Sequence, residues 1–85
     1  MSKYRKTYLT QSKHFKAIRD GKKRFECRKR DDAVNVGDTL ELIETKDGTE
    51  EDTGAIVLVI VTHILYGGEY GIPADRMILS IELLF

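Results

Sequence analysis

A long apolar run, residues 55–65, is the feature that most restricts how this chain can fold, and Val and Ile supply more than half of it. Branched side chains lose rotamer freedom in a helix and pack well on a pleated sheet. The run is also shorter than the roughly 20 apolar residues that a membrane-spanning helix needs. It therefore predicts a buried strand at the centre of a sheet, and no membrane span.

Weaker signals predict four more strands, at residues 7–9, 24–29, 39–44 and 77–85, and one helix between the first two. Thr10 or Ser12 is expected to cap the start of the helix, and Gly21 to end it in a left-handed conformation. Alternation places these apolar side chains on one face of the third and fifth strands: Leu40, Leu42, Met77, Leu79, Ile81, Leu83 and Phe85.

These elements predict the α+β class, mostly β: a small closed or nearly closed barrel of about five strands with one N-terminal helix. A chain of 85 residues has enough apolar surface for one core and not for two. Residues 1–85 are therefore expected to form a single domain.

Charge is divided unevenly along the chain, although its total is zero. Residues 1–30 carry a net charge of +10, and residues 31–85 carry −10. A basic cluster acts on a polyanion within a Debye length even when the whole protein is neutral, so a polyanion, such as RNA or a nucleotide, is an expected partner. The alternative is that the two halves neutralise each other as surface ion pairs.

The basic half ends in a segment, residues 21–30, that surrounds one carboxylate with Lys and Arg. If the segment is a strand, Phe25 and Cys27 share one face and are expected in the core. Arg24, Glu26, Arg28 and Arg30 then form a charged row on the other face. In a regular strand Lys23 would lie on the same face as Phe25. Its side chain can therefore reach Glu26 and Arg28 only from the turn before the strand or at a bulge.

A nucleic-acid site is the first hypothesis for this row. Phosphate needs cationic donors, and a carboxylate held among cations accepts a hydrogen bond from a base amino group. Two tyrosines in a glycine-rich loop are suited to stacking on an unpaired base. The predicted binding residues are Lys22, Lys23, Arg24, Glu26, Arg28, Arg30, Tyr66 and Tyr70. Alternatively, Glu26 and its arginines form an ion-pair ladder that seals the barrel mouth, and the tyrosines cap the core.

Other classes of site have less support. His14 and His63 lack the spacing of metal ligands, so neither a metal site nor a cofactor is predicted. The single cysteine, Cys27, cannot form an internal disulfide. No apolar segment follows the basic N-terminus, which argues against a signal peptide. A reducing, cytoplasmic location is expected.

Several short motifs resemble a known family in their order and spacing. The run Gly21-x-Lys23-x-x-Glu26-x-Arg28 resembles the signature of ASCH domains, small β-barrels of the PUA-like group that are associated with RNA. The flanking motifs resemble the phage and bacterial subfamily DUF3850: Phe15 to Ile18, Gly21-Lys22-Lys23, Phe25-Glu26-Cys27-Arg28-Lys29, Asp31, Val36-Gly37-Asp38-Thr39-Leu40, Thr53-Gly54, Val61 to Gly68, and Ser80-Ile81. The resemblance implies a PUA-like barrel and an RNA-related role.

The resemblance also implies an alternative activity. Some ASCH-like proteins resemble amidohydrolases that act on acylated cytidine through a lysine, a hydroxyl residue and a carboxylate. Lys23 matches that lysine, whereas Glu26 stands where the hydroxyl residue is expected. Lys23 and Glu26 would be catalytic only if the protein is such a hydrolase. A protein-interaction module that uses the acidic half is a third possibility, with no partner indicated.

Overall fold

The computed structural model describes residues 5–30 and 33–84, which form a mostly β fold with one helix. The elements in chain order are β1 (Arg5–Gln11), α1 (Ser12–Arg19), β2 (Phe25–Lys29), β3 (Thr39–Thr45), β4 (Asp52–Tyr66) and β5 (Arg76–Leu83). The predicted fold class, with five strands and an N-terminal helix, is confirmed. Phe85, the expected last residue of the fifth strand, lies outside the described residues.

One sheet contains all the strands in the order β1-β3-β4-β5-β2, with β1 parallel to β3 and the other neighbours antiparallel. The central position predicted for the apolar run is confirmed in β4. The first half of β4 pairs with β3 and the second half with β5, so this long strand bends across the fold. The sheet curls into a half-barrel whose two edges are β1 and β2.

Helix α1 packs Phe15 and Ile18 into the core. The sheet contributes the row expected from alternation, and Leu40, Leu42, Met77 and Leu79 are all fully buried. The buried row of β5 ends at Ile81, because Leu83 near the end of the strand is 42% exposed.

The ends of α1 determine where the basic segment begins. The expected N-cap is wrong: Gln11 precedes the helix without a side-chain cap, and Ser12 is its first residue. Strand β1 leads directly into the helix, and the Ser12 hydroxyl instead donates a hydrogen bond of 2.6 Å to Glu44. The predicted C-terminal cap is confirmed: Gly21 has φ +76°, and its N–H donates to the Ile18 carbonyl. The chain then turns into β2.

Strand β2 faces the opposite way from the prediction. Phe25 is 48% exposed, Cys27 is exposed, and Glu26 is only 3% exposed. Glu26 pairs directly with Leu79, a fully buried residue, so its side chain shares the core face. Hydrophobicity alone would favour burial of Phe25 and Cys27 and exposure of Glu26. The charges of Lys23 and Arg28, however, neutralise the Glu26 carboxylate and reduce the cost of burying it.

Candidate nucleic-acid interface

An open cleft of about 480 Å³ lies between the two edges of the half-barrel. We call it the Glu26 cleft. It is lined by Leu9, Thr10, Gln11, His14, Lys23, Phe25, Glu26, Cys27 and Arg28. Strand β1 and helix α1 supply one wall, while the turn before β2 and β2 itself supply the other. Residues far apart in sequence therefore meet where the sheet fails to close.

Glu26 is held between two cations. Lys23 Nζ lies 3.3 Å from Glu26 Oε1, and Arg28 Nη2 lies 2.5 Å from Oε2. Lys23 belongs to the turn before β2, outside the alternation of the strand, which is how its side chain reaches the same carboxylate. The cation side chains are 16% and 21% exposed, against 5% for that of Glu26. The cluster is thus accessible from the cleft through its cations.

Arg28 connects the two edges of the sheet. Its guanidinium lies 4.2 Å from the centre of the Tyr8 ring, and Nη2 is 3.4 Å from both the Leu9 carbonyl and Thr10 Oγ1. Its Nε is buried and has no hydrogen-bond partner among the described residues. Tyr8 and Thr10 were not predicted as site residues, because no sequence signal indicated that β1 lies beside the basic segment.

The charges of the cleft leave capacity for a ligand. Two cations against one carboxylate give the cluster a net positive charge, and the Lys23 ammonium has donors that Glu26 does not occupy. A carboxylate offers about four lone-pair sites, of which the two cations use two. The arrangement can therefore bind an anionic group and accept a hydrogen bond at neighbouring points.

Arg30 and Tyr66 form a second group beside the cleft, which we call the Arg30–Tyr66 stack. The Arg30 guanidinium lies 4.9 Å from the centre of the Tyr66 ring, and its Nη1 donates a 3.2 Å hydrogen bond to the Gly67 carbonyl. Tyr66 remains 43% exposed. These two predicted residues are thus brought together, but not into the Glu26 cleft.

The loop after Tyr66 is tightly built. A Cβ on Gly67 would lie 1.9 Å from the Pro73 carbonyl oxygen and 2.6 Å from that of Arg76, so only glycine fits there. Tyr70 is 86% exposed and adopts φ 53°, a left-handed conformation uncommon for a large residue. Its ring is available to solvent at the loop tip, outside the lining of the cleft.

The remaining predicted residues point into solvent. Lys22 and Arg24 are exposed. Arg24 Nε donates to the Gly21 carbonyl at 3.2 Å, so Arg24 braces the turn before β2 rather than flanking Glu26. The predicted set therefore separates into the cluster of Lys23, Glu26 and Arg28, the Arg30–Tyr66 stack, and exposed groups around them.

A second buried carboxylate lies elsewhere, at Glu44 of β3, which is 8% exposed. It accepts hydrogen bonds of 2.6 Å from both the Ser12 and Thr53 hydroxyls. These two bonds, assisted by the charges of Lys16 and Arg19, hold the pKa of Glu44 below its ordinary value of 4.5, while desolvation opposes them. Glu44 thereby ties the start of α1 to the β3–β4 pair.

Across residues 5–30 and 33–84, no group of three or more His, Cys, Asp or Glu side chains is arranged to hold a metal ion. Nor does this part of the chain contain a helix long and apolar enough to cross a membrane.

The residues that line the cleft lie within the part of the chain that matches a known family. A family model described as a domain of unknown function, DUF3850, matches residues 8–81. The match includes both walls of the Glu26 cleft and both members of the Arg30–Tyr66 stack. No curated protein matches the chain.

Proposed function

The chain belongs to the DUF3850 family, and we propose that it binds single-stranded RNA or a nucleotide in the Glu26 cleft. One observation carries the proposal: a carboxylate only 3% exposed is fixed between two cations in an open cleft at a gap in the sheet. A buried ion cluster is weak as a device for stability, because desolvation cancels much of its attraction. Its placement in a cleft favours a role in binding.

The chemistry of the cleft suits a nucleotide at two points. Lys23 and Arg28 supply cationic donors for a phosphate, which Arg contacts with a planar fork and Lys as a point charge. Glu26, whose orientation is fixed by both cations, accepts from an exocyclic amino group such as N4 of cytosine. The exposed Tyr66 and Tyr70 rings are further surfaces on which a base can stack.

We also propose that the chain is related to the ASCH domains and the wider PUA-like group, and that it has the phage or bacterial origin that the motifs imply. The curled half-barrel with one N-terminal helix supports it. So does the signature run, because the three residues Lys23, Glu26 and Arg28 converge. The exposed free thiol of Cys27 supports a cytoplasmic location, since reducing compartments keep such thiols unpaired.

The test is titration of a labelled single-stranded RNA at low and moderate salt. Affinity should fall with salt, because phosphate binding releases counterions, and Arg28→Ala should abolish most of it. Arg19→Ala is the matched control: it removes the same charge from the basic half at a side chain whose partner is Asp20. Equal losses in the two variants would show that diffuse charge, not the cleft, binds RNA.

An amidohydrolase acting on an acylated nucleoside is the second candidate. The observation that supports it is Thr10, which is 3% exposed and supplies a hydroxyl 3.4 Å from Arg28 Nη2 in the same cleft. Against it, the ion pair with Glu26 engages Lys23 as a cation, the form that holds phosphate rather than attacks a carbonyl. This candidate requires release of acetate from acetylated cytidine, lost in Lys23→Ala. Absence of turnover at high protein concentration would exclude it.

A further inference from the structure

The Arg30–Tyr66 stack lies close enough to the Glu26 cleft for one ligand to contact both. We infer that the ligand is an RNA single strand of several nucleotides, with one nucleotide in the cleft and a later base on the stack. This inference rests on the proposed function of the cleft and specifies its ligand, an oligonucleotide rather than a mononucleotide.

The sheet register sets the geometry. Arg28 pairs with Met77, and Met77 pairs with Tyr66, so the three residues form one row across neighbouring strands. Paired residues share a face, which places Arg28 and Tyr66 on the same side of the sheet as the buried Met77. At a strand spacing of about 4.8 Å, their backbones are about 10 Å apart.

The distance from Glu26 to Arg30, the residue that follows β2, gives the length of the RNA strand. Arg30 follows Glu26 by four residues, a rise of about 13 Å in extended backbone. At the rise of about 3.4 Å per nucleotide found in a stacked duplex strand, about four steps span this distance, and fewer suffice if the strand is stretched. A mononucleotide has a single base, so it cannot place one base at Glu26 and another on the stack.

The stack offers what an unpaired base requires. Arg30 covers one side of the Tyr66 ring and is anchored by its hydrogen bond to the Gly67 carbonyl, so its guanidinium plane is already oriented. Bases stack on both tyrosine rings and Arg planes. A cavity of about 530 Å³ borders Arg30 and is also lined by Lys29 and Asp75. Lys29 suits a phosphate there, whereas the Asp75 carboxylate suits a base amino group.

Binding of a length series, from cytidine monophosphate to a cytidine hexanucleotide, tests the inference by calorimetry in the wild type and three variants. Tyr66→Leu removes the aromatic face without changing charge. Tyr66→Phe keeps the ring, and Lys46→Ala removes a charge that is ion-paired with Glu51 in the β3–β4 loop. A thermal melt of each variant confirms that it is folded.

The expected wild-type result is an affinity that rises until about four nucleotides and then levels off. Tyr66→Leu should reduce this gain with length by about tenfold, in line with the stacking seen in single-strand binders. Tyr66→Phe and Lys46→Ala should keep the gain. A gain that survives in Tyr66→Leu, or a monophosphate that binds as well as the hexanucleotide, overturns the inference while the cleft remains a nucleotide site. Failure of every length to bind overturns the proposed function as well.

Discussion

Glu26 and Glu44 are both buried strand glutamates, at 3% and 8% exposure, but their partners differ in kind. Glu26 is bound by two cations and lines an open cleft. Glu44 is bound by two neutral hydroxyls that belong to α1 and β4. The Glu26 cluster has a net positive charge and unused hydrogen-bond donors. The hydrogen bonds of Glu44 instead connect helix α1 to the β3–β4 hairpin.

Burial of a carboxylate therefore does not by itself identify a functional site. The charge of its hydrogen-bond partners, together with the open volume beside them, identifies such a site. The two hydroxyls satisfy the Glu44 carboxylate without adding positive charge, so this cluster has nothing to attract an anion and joins structural elements instead. Cations around Glu26 leave a net charge beside open volume, which is the condition for binding an anion. Variants at the two glutamates should therefore separate binding from stability.

The largest expected effect is that of Arg28→Ala on stability. It removes a cation that is about one-fifth exposed from a carboxylate that stays buried with Lys23 alone. Loss of one partner from a fully buried pair costs about 3–5 kcal/mol, and the partial exposure of Arg28 reduces this to about 2–3 kcal/mol. Urea unfolding measures the change. Lys46→Ala, which breaks an exposed pair, should change stability by less than about 1 kcal/mol. Similar decreases in the free energy of unfolding in both variants would show that the Glu26 cluster stabilises the fold no more than an exposed ion pair does.

Next in size is the effect of Glu26→Gln on base preference. A carboxylate that accepts from a cytosine amino group discriminates by about 1–3 kcal/mol against a base that lacks the donor. The preference for cytidine over uridine oligonucleotides should therefore decrease by about tenfold or more in the variant. Competition binding measures the ratio, and Glu44→Gln provides the control. An unchanged preference in Glu26→Gln would remove Glu26 from base recognition.

A smaller effect is expected from Thr53→Ala, which removes one of the two hydroxyl donors to Glu44. The variant should melt at a lower temperature, because a buried carboxylate loses a partner, yet bind RNA as the wild type does. A melt and a titration on the same sample check both halves of this expectation. Weakened RNA binding in a folded Thr53→Ala protein would show that the two glutamates are coupled.

The smallest effect concerns pH. Because the folded-state pKa of Glu44 is lowered, its contribution to stability is complete above the ordinary value of 4.5 and is lost as pH falls through the lowered value. The melting temperature of the wild type should thus decrease more steeply on acidification than that of Glu44→Gln, and the two curves should converge at low pH. Parallel curves would show that Glu44 does not titrate in this way.

Alternation and residue type were sufficient to predict the central strand, the buried Leu40 and Leu42, and the turn at Gly21. They were insufficient for β2. Alternation divides a strand into two faces but does not say which is buried, and the apolar Phe25 and Cys27 indicated the wrong one. The outcome depends on whether cations are positioned to neutralise Glu26, which is a tertiary property.

Half of the candidate site was likewise inaccessible from sequence. The pairing of Glu26 with Arg28 could be expected from alternation, whereas Lys23 joins them because it lies in the turn before β2, one of the two irregularities that its position required. The opposite wall comes from α1 and β1, and the parallel pairing of β1 with β3 carries no local signal. Tyr8 and Thr10 therefore emerge only once the sheet order is known.

RNA binding in the Glu26 cleft is tested most directly by an NMR titration of the labelled protein with single-stranded RNA, following the backbone amides of both glutamate clusters. Saturable shifts are expected at Lys23, Glu26 and Arg28, with Ser12, Glu44 and Thr53 unchanged, and the shifts should be lost in Arg28→Ala. Shifts that spread over the basic surface and persist in Arg28→Ala, or no shifts at the Glu26 cleft, would contradict RNA binding there.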